Sequence, residues 1–196
     1  MTASKKFVSA VKIAAQLVPV TSALAQWLNE IETAQIVDRL DRLEDPLTNH
    51  GPQAKQLSKL LYSLVQAQSQ DLPATTHIDW TPGLKPFIKE LRSFEAAGFV
   101  MGSHRIGAVD FTEGLRLSPA FIVYLAVLYD DRAKIARLIE MLDDAKEQLI
   151  GKEVRKSVDL PLTVIDAFFA NYANRGQGYK SGLIGESIYI PKPPIP

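Results

Sequence analysis

TPGLKPFIKELRSFEAAGFVMGSHRIGAVDFTEGLRL, Thr81 to Leu117, carries a helix, a stop and two strands in one run. Phe87, Ile88, Leu91 and Phe94 recur at the spacing of one helical face, which predicts a helix from about Pro86 to Ala97. Pro86 lacks the backbone N–H that an earlier start would need, so the regular helix begins there. Gly98 follows Ala96-Ala97 and is suited to the left-handed conformation that closes a helix. Phe99, Val100 and Met101 open an extended run. Gly102 and Gly107 loosen it, and Leu115-Arg116-Leu117 resumes it with strand-like alternation.

The chain on either side is helical. Ser4 to Val18 reads as an amphipathic helix, ended by Pro19, which removes a backbone donor. Thr21 or Ser22 caps a longer helix toward Glu44, with one apolar seam through Leu24, Trp27, Leu28 and Ile31 and another through Ile36, Leu40 and Leu43. The breaker PLTNHGP, Pro46 to Pro52, marks a boundary. Gln53 to Gln70 is helical again, and His77 to Trp80 is a short strand with Trp80 as a core anchor. Ser118-Pro119 caps AFIVYLAVLY, which is apolar all round and so the most buried element. A polar amphipathic helix follows from Arg132 to Ile150, stopped by Gly151, and a last helix runs from Thr163 to Asn174. From Arg175 the chain is rich in Gly and Ser, and four prolines among its last six residues favour an extended tail. No internal repeat stands out. The organisation expected is an N-terminal helical arm (1–46), a helical domain (47–174) and a Gly/Pro-rich tail (175–196).

The words ELRSFEAAGFV, a polar turn, then GLRLS resemble the end of a recognition helix and its wing in MarR- and PadR-like winged-helix regulators, over residues 81–117. One departure stands out. The segment before the recognition helix, residues 71–85, holds Pro73 and Pro82, and Pro86 follows at once, where the family has a second helix. The resemblance implies a winged-helix-like core flanked by N- and C-terminal helices, mainly α with a small β-hairpin. It also implies a DNA partner, with Lys85, Lys89 and Arg92 at the major groove and His104 and Arg105 at the start of the wing.

Composition narrows the function classes. Lys plus Arg total 22 and Asp plus Glu total 22, so a chain basic throughout that coats nucleic acid is excluded, while a local cationic patch is not. Between Trp80 and Ala120 five Lys/Arg face four Asp/Glu in the sequence. With no cysteine there are no disulfides, thiolate metal sites or cysteine nucleophiles, which fits a cytoplasmic protein. Lys5-Lys6, the apolar run from Phe7 and Ala23-Leu24-Ala25 have the outline of a secretory signal, but Lys12 and Gln16 interrupt it, and no run is apolar enough to span a bilayer.

Catalytic signals are weak. His50, His77 and His104 are scattered and read as surface or turn residues, without metal-ligand spacing. Asp130-Asp131 is explained by helix capping, and Asp143-Asp144 point apart on a helix. GQGYKSG, Gly176 to Gly182, fails as a phosphate loop because Tyr179, not Gly, precedes Lys180 and the preceding segment is helical. It reads as a joint to the tail. The expectation is a non-catalytic, cofactor-free, nucleic-acid-binding regulator. The alternative is a protein–protein adaptor, with Phe7, Val11, Trp27, Ile31, Ile36 and Leu40 contacting another copy or chain through residues 1–45 and the Pro-rich tail adding contacts. Binding of the N-terminal segment to a membrane surface is a weaker third reading.

Overall fold

A computed structural model describes residues 47, 50–67, 76–103, 111, 113–183 and 186–192. The two expected N-terminal helices, with Phe7, Val11, Trp27, Ile31, Ile36 and Leu40, lie outside the described residues, as do His104 and Arg105. The described chain is mainly helical, with two small antiparallel three-stranded sheets.

In chain order the elements are α1 (Ala54–Ala67), β1 (His77–Ile78), a 3-10 helix (Pro82–Phe87), α2 (Ile88–Ala96), β2 (Val100–Ser103) and β3 (Gly114–Leu117). Then come α3 (Pro119–Tyr129), α4 (Arg132–Asp143), β4 (Leu149–Ile150), α5 (Gly151–Val158), α6 (Leu162–Asn174), β5 (Gly178–Leu183) and β6 (Glu186–Pro191). The first sheet has the order β1-β3-β2, with His77 opposite Arg116 and Met101 opposite Arg116 on the other side. The second has the order β4-β6-β5, with Leu149 and Lys180 flanking Tyr189.

The core is built on α3. Ser118 caps it, its Oγ accepting from the N–H of Phe121 at 3.3 Å, and Pro119 fits the first turn, where no donor is needed. Every residue from Ala120 to Val127 is buried, as a helix without a polar face requires. It packs on α1 on one side and α6 on the other. Phe121 stacks on Phe99 at 4.8 Å and meets Phe94 edge-on at 5.4 Å, joining α3 to the end of α2. Trp80 is half-buried rather than a full anchor, stacked on the buried Phe111 at 6.2 Å.

Polar bridges fix α1 against the end of α3. Tyr62 donates its hydroxyl to the Asp130 carboxylate, and Ser58 Oγ and Tyr129 Oη share a 2.7 Å hydrogen bond. Burial, with Asp130 beside it, pushes the Tyr62 phenol well above its ordinary value, so it remains a donor at any physiological pH. Asp131 is the cap of α4, accepting from Ala133 N–H at 2.8 Å, so capping accounts for Asp131, while the Asp130 carboxylate accepts the Tyr62 hydroxyl and the Asp131 N–H instead.

Two expectations are corrected. The helix from Arg132 ends at Asp143, not Ile150. Asp143 there accepts the Tyr172 hydroxyl at 2.9 Å, while Leu149-Ile150 pair with β6. Gly151 starts a helix instead of stopping one. A Cβ at Gly151 would stand 2.9 Å from Leu162 Cδ1 and 3.2 Å from the Ser187 carbonyl oxygen, so the glycine permits a close approach. The second correction concerns the first part of the tail, because Gly178–Leu183 and Glu186–Pro191 pair as strands of the second sheet; residues 193–196 lie outside the described residues. Tyr189 is buried, donates its hydroxyl to the Gln177 carbonyl at 3.0 Å, and lies across Gly178, where a Cβ would come within 2.6 Å of its ring. Ser187 and Lys180 both reach the Asp166 carboxylate of α6, at 2.6 and 2.7 Å.

Candidate nucleic-acid interface

Pro82 fits the first turn of the segment leading to α2, where no donor is needed, while Pro86 inside it removes a donor that an α-helix started there would use, and the segment is a 3-10 helix. Leu84 and Phe87 face inward and Lys85 faces solvent. From Ile88 the chain is α-helical. Its end carries the two hydrogen bonds of a Schellman motif, Gly98 N–H to Glu95 O at 3.0 Å and Phe99 N–H to Phe94 O at 2.9 Å. Gly98 has φ +71°, as its place after Ala97 predicts, and Phe94 and Phe99 supply the apolar contact of the motif at 5.7 Å.

The charges on α2 and on the 3-10 helix before it are sorted by side. Lys85, Lys89 and Arg92 are exposed, while Leu91 and Phe94 are buried opposite them. Glu90 is only 4% exposed, in the stripe Phe87, Glu90, Leu91, Phe94. Its carboxylate lies beneath Gly51 (φ +115°), where a Cβ would stand 2.9 Å from Oε1. Glu95 turns toward the hairpin and accepts the N–H of Gly102 at 3.0 Å, tying α2 to β2. Both acids of the helix are thus directed inward or along the sheet, and the outer side is left to the cations. Lys89 and Arg92 stand about 4.5 Å apart along the axis, three residues at the helical rise.

Beside this helix the first sheet exposes a row formed by His77, Arg116 and Met101, with Met101 67% exposed. His77 Nε2 lies 3.3 Å from Asp79 Oδ1. Lys85, Lys89 and Arg92 are on the solvent side, as the apolar spacing of their neighbours predicts. Arg116 and Met101 join the exposed surface unpredicted, although strand alternation signals them, and Glu90 is buried as its spacing from Phe87 and Phe94 signals.

His50 also departs from its expected surface role. Its Nδ1 and Ser93 Oγ share a 2.9 Å hydrogen bond, and its ring packs edge-on to Phe94 and Phe99 at 5.4 and 5.2 Å. Burial lowers its pKa from 6.5. The unfolded chain then binds this proton more readily than the folded one. The contribution is fully present above pH 6.5 and is lost as pH falls through the lower folded value. His50→Gln should flatten the decline in thermal midpoint below pH 6.5, read by circular dichroism against the parent. An unchanged pH profile would assign the decline to other groups.

No family model, no curated protein and no solved structure matches the chain. The site therefore stands on its own geometry. Among the described residues no group of three or more His, Cys, Asp or Glu is arranged to hold a metal ion, and no helix is long and apolar enough to cross a membrane.

Proposed function

We propose that the chain is a non-catalytic, cytoplasmic winged-helix-like module that binds DNA as a regulator, with α2 as its reading helix. The observation that carries this reading is the sorting of charge along the 3-10 helix and α2: Glu90 and Glu95 turned away, Lys85 on the 3-10 helix and Lys89 and Arg92 on α2 turned out. The order α1, β1, 3-10 helix, α2, β2, β3, with β1 paired to β3, supports it as well. In winged helices the third helix enters the major groove and the hairpin connection lies on the adjacent backbone. Here that connection includes His104 and Arg105.

Lys89→Ala with Arg92→Ala should weaken binding to every duplex sequence alike and lower the salt slope by about two units, one for each phosphate no longer neutralised. Fluorescence anisotropy with labelled duplexes at several salt concentrations reads both. Unchanged affinity and slope would remove α2 from the interface.

The adaptor reading draws on a different feature. Tyr179 and Ile190 pair across β5 and β6 on the outer face of the second sheet, 61% and 41% exposed. A partner held there would be bound through apolar contact and with little salt dependence, which separates the two readings.

A further inference from the structure

The order helix, short strand, helix, helix, hairpin occurs twice among the described residues. In α1 to β3 the first strand pairs with the last, giving β1-β3-β2. In α4 to β6 it does so again, giving β4-β6-β5. The third helices also end alike. Gly176 has φ +72°, its N–H bonds to Ala173 O at 2.9 Å, and Gln177 N–H bonds to Tyr172 O at 3.2 Å. That is the motif closing α2, with Gly176 in the place of Gly98, and in both cases the strand begins two residues later. Setting Gly98 on Gly176 pairs Phe87 with Ile165, Glu90 with Phe168, Leu91 with Phe169 and Phe94 with Tyr172, all of them buried.

We infer that the chain is an internal duplication in which DNA meets the first copy alone. Under the same alignment Lys85, Lys89 and Arg92 correspond to Thr163, Ala167 and Ala170. Thr163 and Ala167 are 5% and 1% exposed. Ala170 is half-buried, and α6 packs on α3, α5 and the second hairpin, so this helix does not offer to solvent the side that α2 does. The only charged side chain of α6, Asp166, is an acid already held by Lys180 and Ser187. The hairpins differ in the same sense. Ten residues, 104–113, connect the pair Ser103 and Gly114, but two, 184–185, connect Leu183 and Glu186. The third helix of the second copy has no cationic face to lay on a phosphate backbone, and the cations Lys152 and Lys156 of that copy sit on its second helix. Its third helix instead binds α3, which also packs on α1 of the first copy, so the second copy holds the first in place.

The binding half of this inference rests on the nucleic-acid reading above; the structural half does not. The test uses the full chain and a labelled mixed-sequence DNA duplex at low salt. Lys152 and Lys156 are the exposed cations on α5, the second helix of the second copy. Changing both to Ala should leave affinity within about twofold and the salt slope unchanged, whereas Lys89→Ala with Arg92→Ala should lower both. Titration should give one duplex-binding face per chain. A second face, or a loss at Lys152 and Lys156 equal to that at Lys89 and Arg92, overturns the assignment to one copy. The second readout is calorimetry without DNA. With α3 shared, the two copies should unfold in one transition whose calorimetric and van't Hoff enthalpies agree. Two separate transitions overturn the shared interface. A parent that binds no duplex at low salt, yet unfolds in one step, removes the DNA reading and the one-copy assignment with it while the duplicated, mutually braced fold stands.

Discussion

Leu125→Asp will abolish cooperative folding. Leu125 is 0% exposed in the helix that packs on both α1 and α6, and no neighbouring turn of α3 offers a polar side to rotate outward. An unpaired charge buried there costs on the order of 3–5 kcal/mol, against a total stability of roughly 5–15 kcal/mol for a typical domain. Removing the leucine's packing adds about 2–5 kcal/mol if the site fails to collapse. Thermal melting followed by circular dichroism should show no sharp transition, or one far below the parent's. A parent-like melt would mean that α3 is not the shared centre of the fold.

Gly114→Ala will be strongly destabilising, and Gly182→Ala is its control. Gly114 has φ +128°, a backbone conformation that L-residues rarely adopt, and a Cβ there would stand 2.4 Å from the Ile78 carbonyl oxygen. The His77 ring at 2.9 Å blocks the same space. Strain of this kind costs about 1–3 kcal/mol before the contact with backbone is counted, and relief requires β1 to leave β3. Gly182 meets nothing within 4 Å and has no unusual backbone angle. Urea denaturation should place Gly114→Ala well over about 2 kcal/mol below the parent and Gly182→Ala within about 1 kcal/mol. Equal midpoints for the two variants would contradict the described register of β1 on β3.

The parts of the fold that sequence reveals are those set by local chemistry. AFIVYLAVLY has no polar side, so its burial follows directly. Gly98 after a double alanine signals a left-handed stop, and it is one. The outward side of Lys85, Lys89 and Arg92 follows from the apolar spacing of their neighbours. What was not legible depends on contacts distant in sequence. Leu149-Ile150 continue a helical pattern locally, and only pairing with Ile188 and Tyr189 makes them a strand. Gly178 reads as flexibility, yet it is required by the Tyr189 ring lying against it. The repeated order of elements was hidden because the equivalent positions carry different chemistry: cations on α2, Thr163, Ala167 and Ala170 on α6. The inward turn of Glu90 needed only its spacing, but a charged residue in an apolar stripe is usually assigned to solvent.

The most direct test of the central claim is the ionic-strength dependence of duplex binding by the unmodified chain. Phosphate contacts from Lys85, Lys89 and Arg92 alone should make log K fall against log salt with a slope near about −2.7, at about −0.9 per contact, and steeper if the hairpin connection also touches the backbone. Between roughly 50 and 200 mM salt that is a loss of at least about fortyfold in affinity. Binding that is absent at low salt, or that holds constant across this range, would contradict a DNA interface built on the cations of the 3-10 helix and α2.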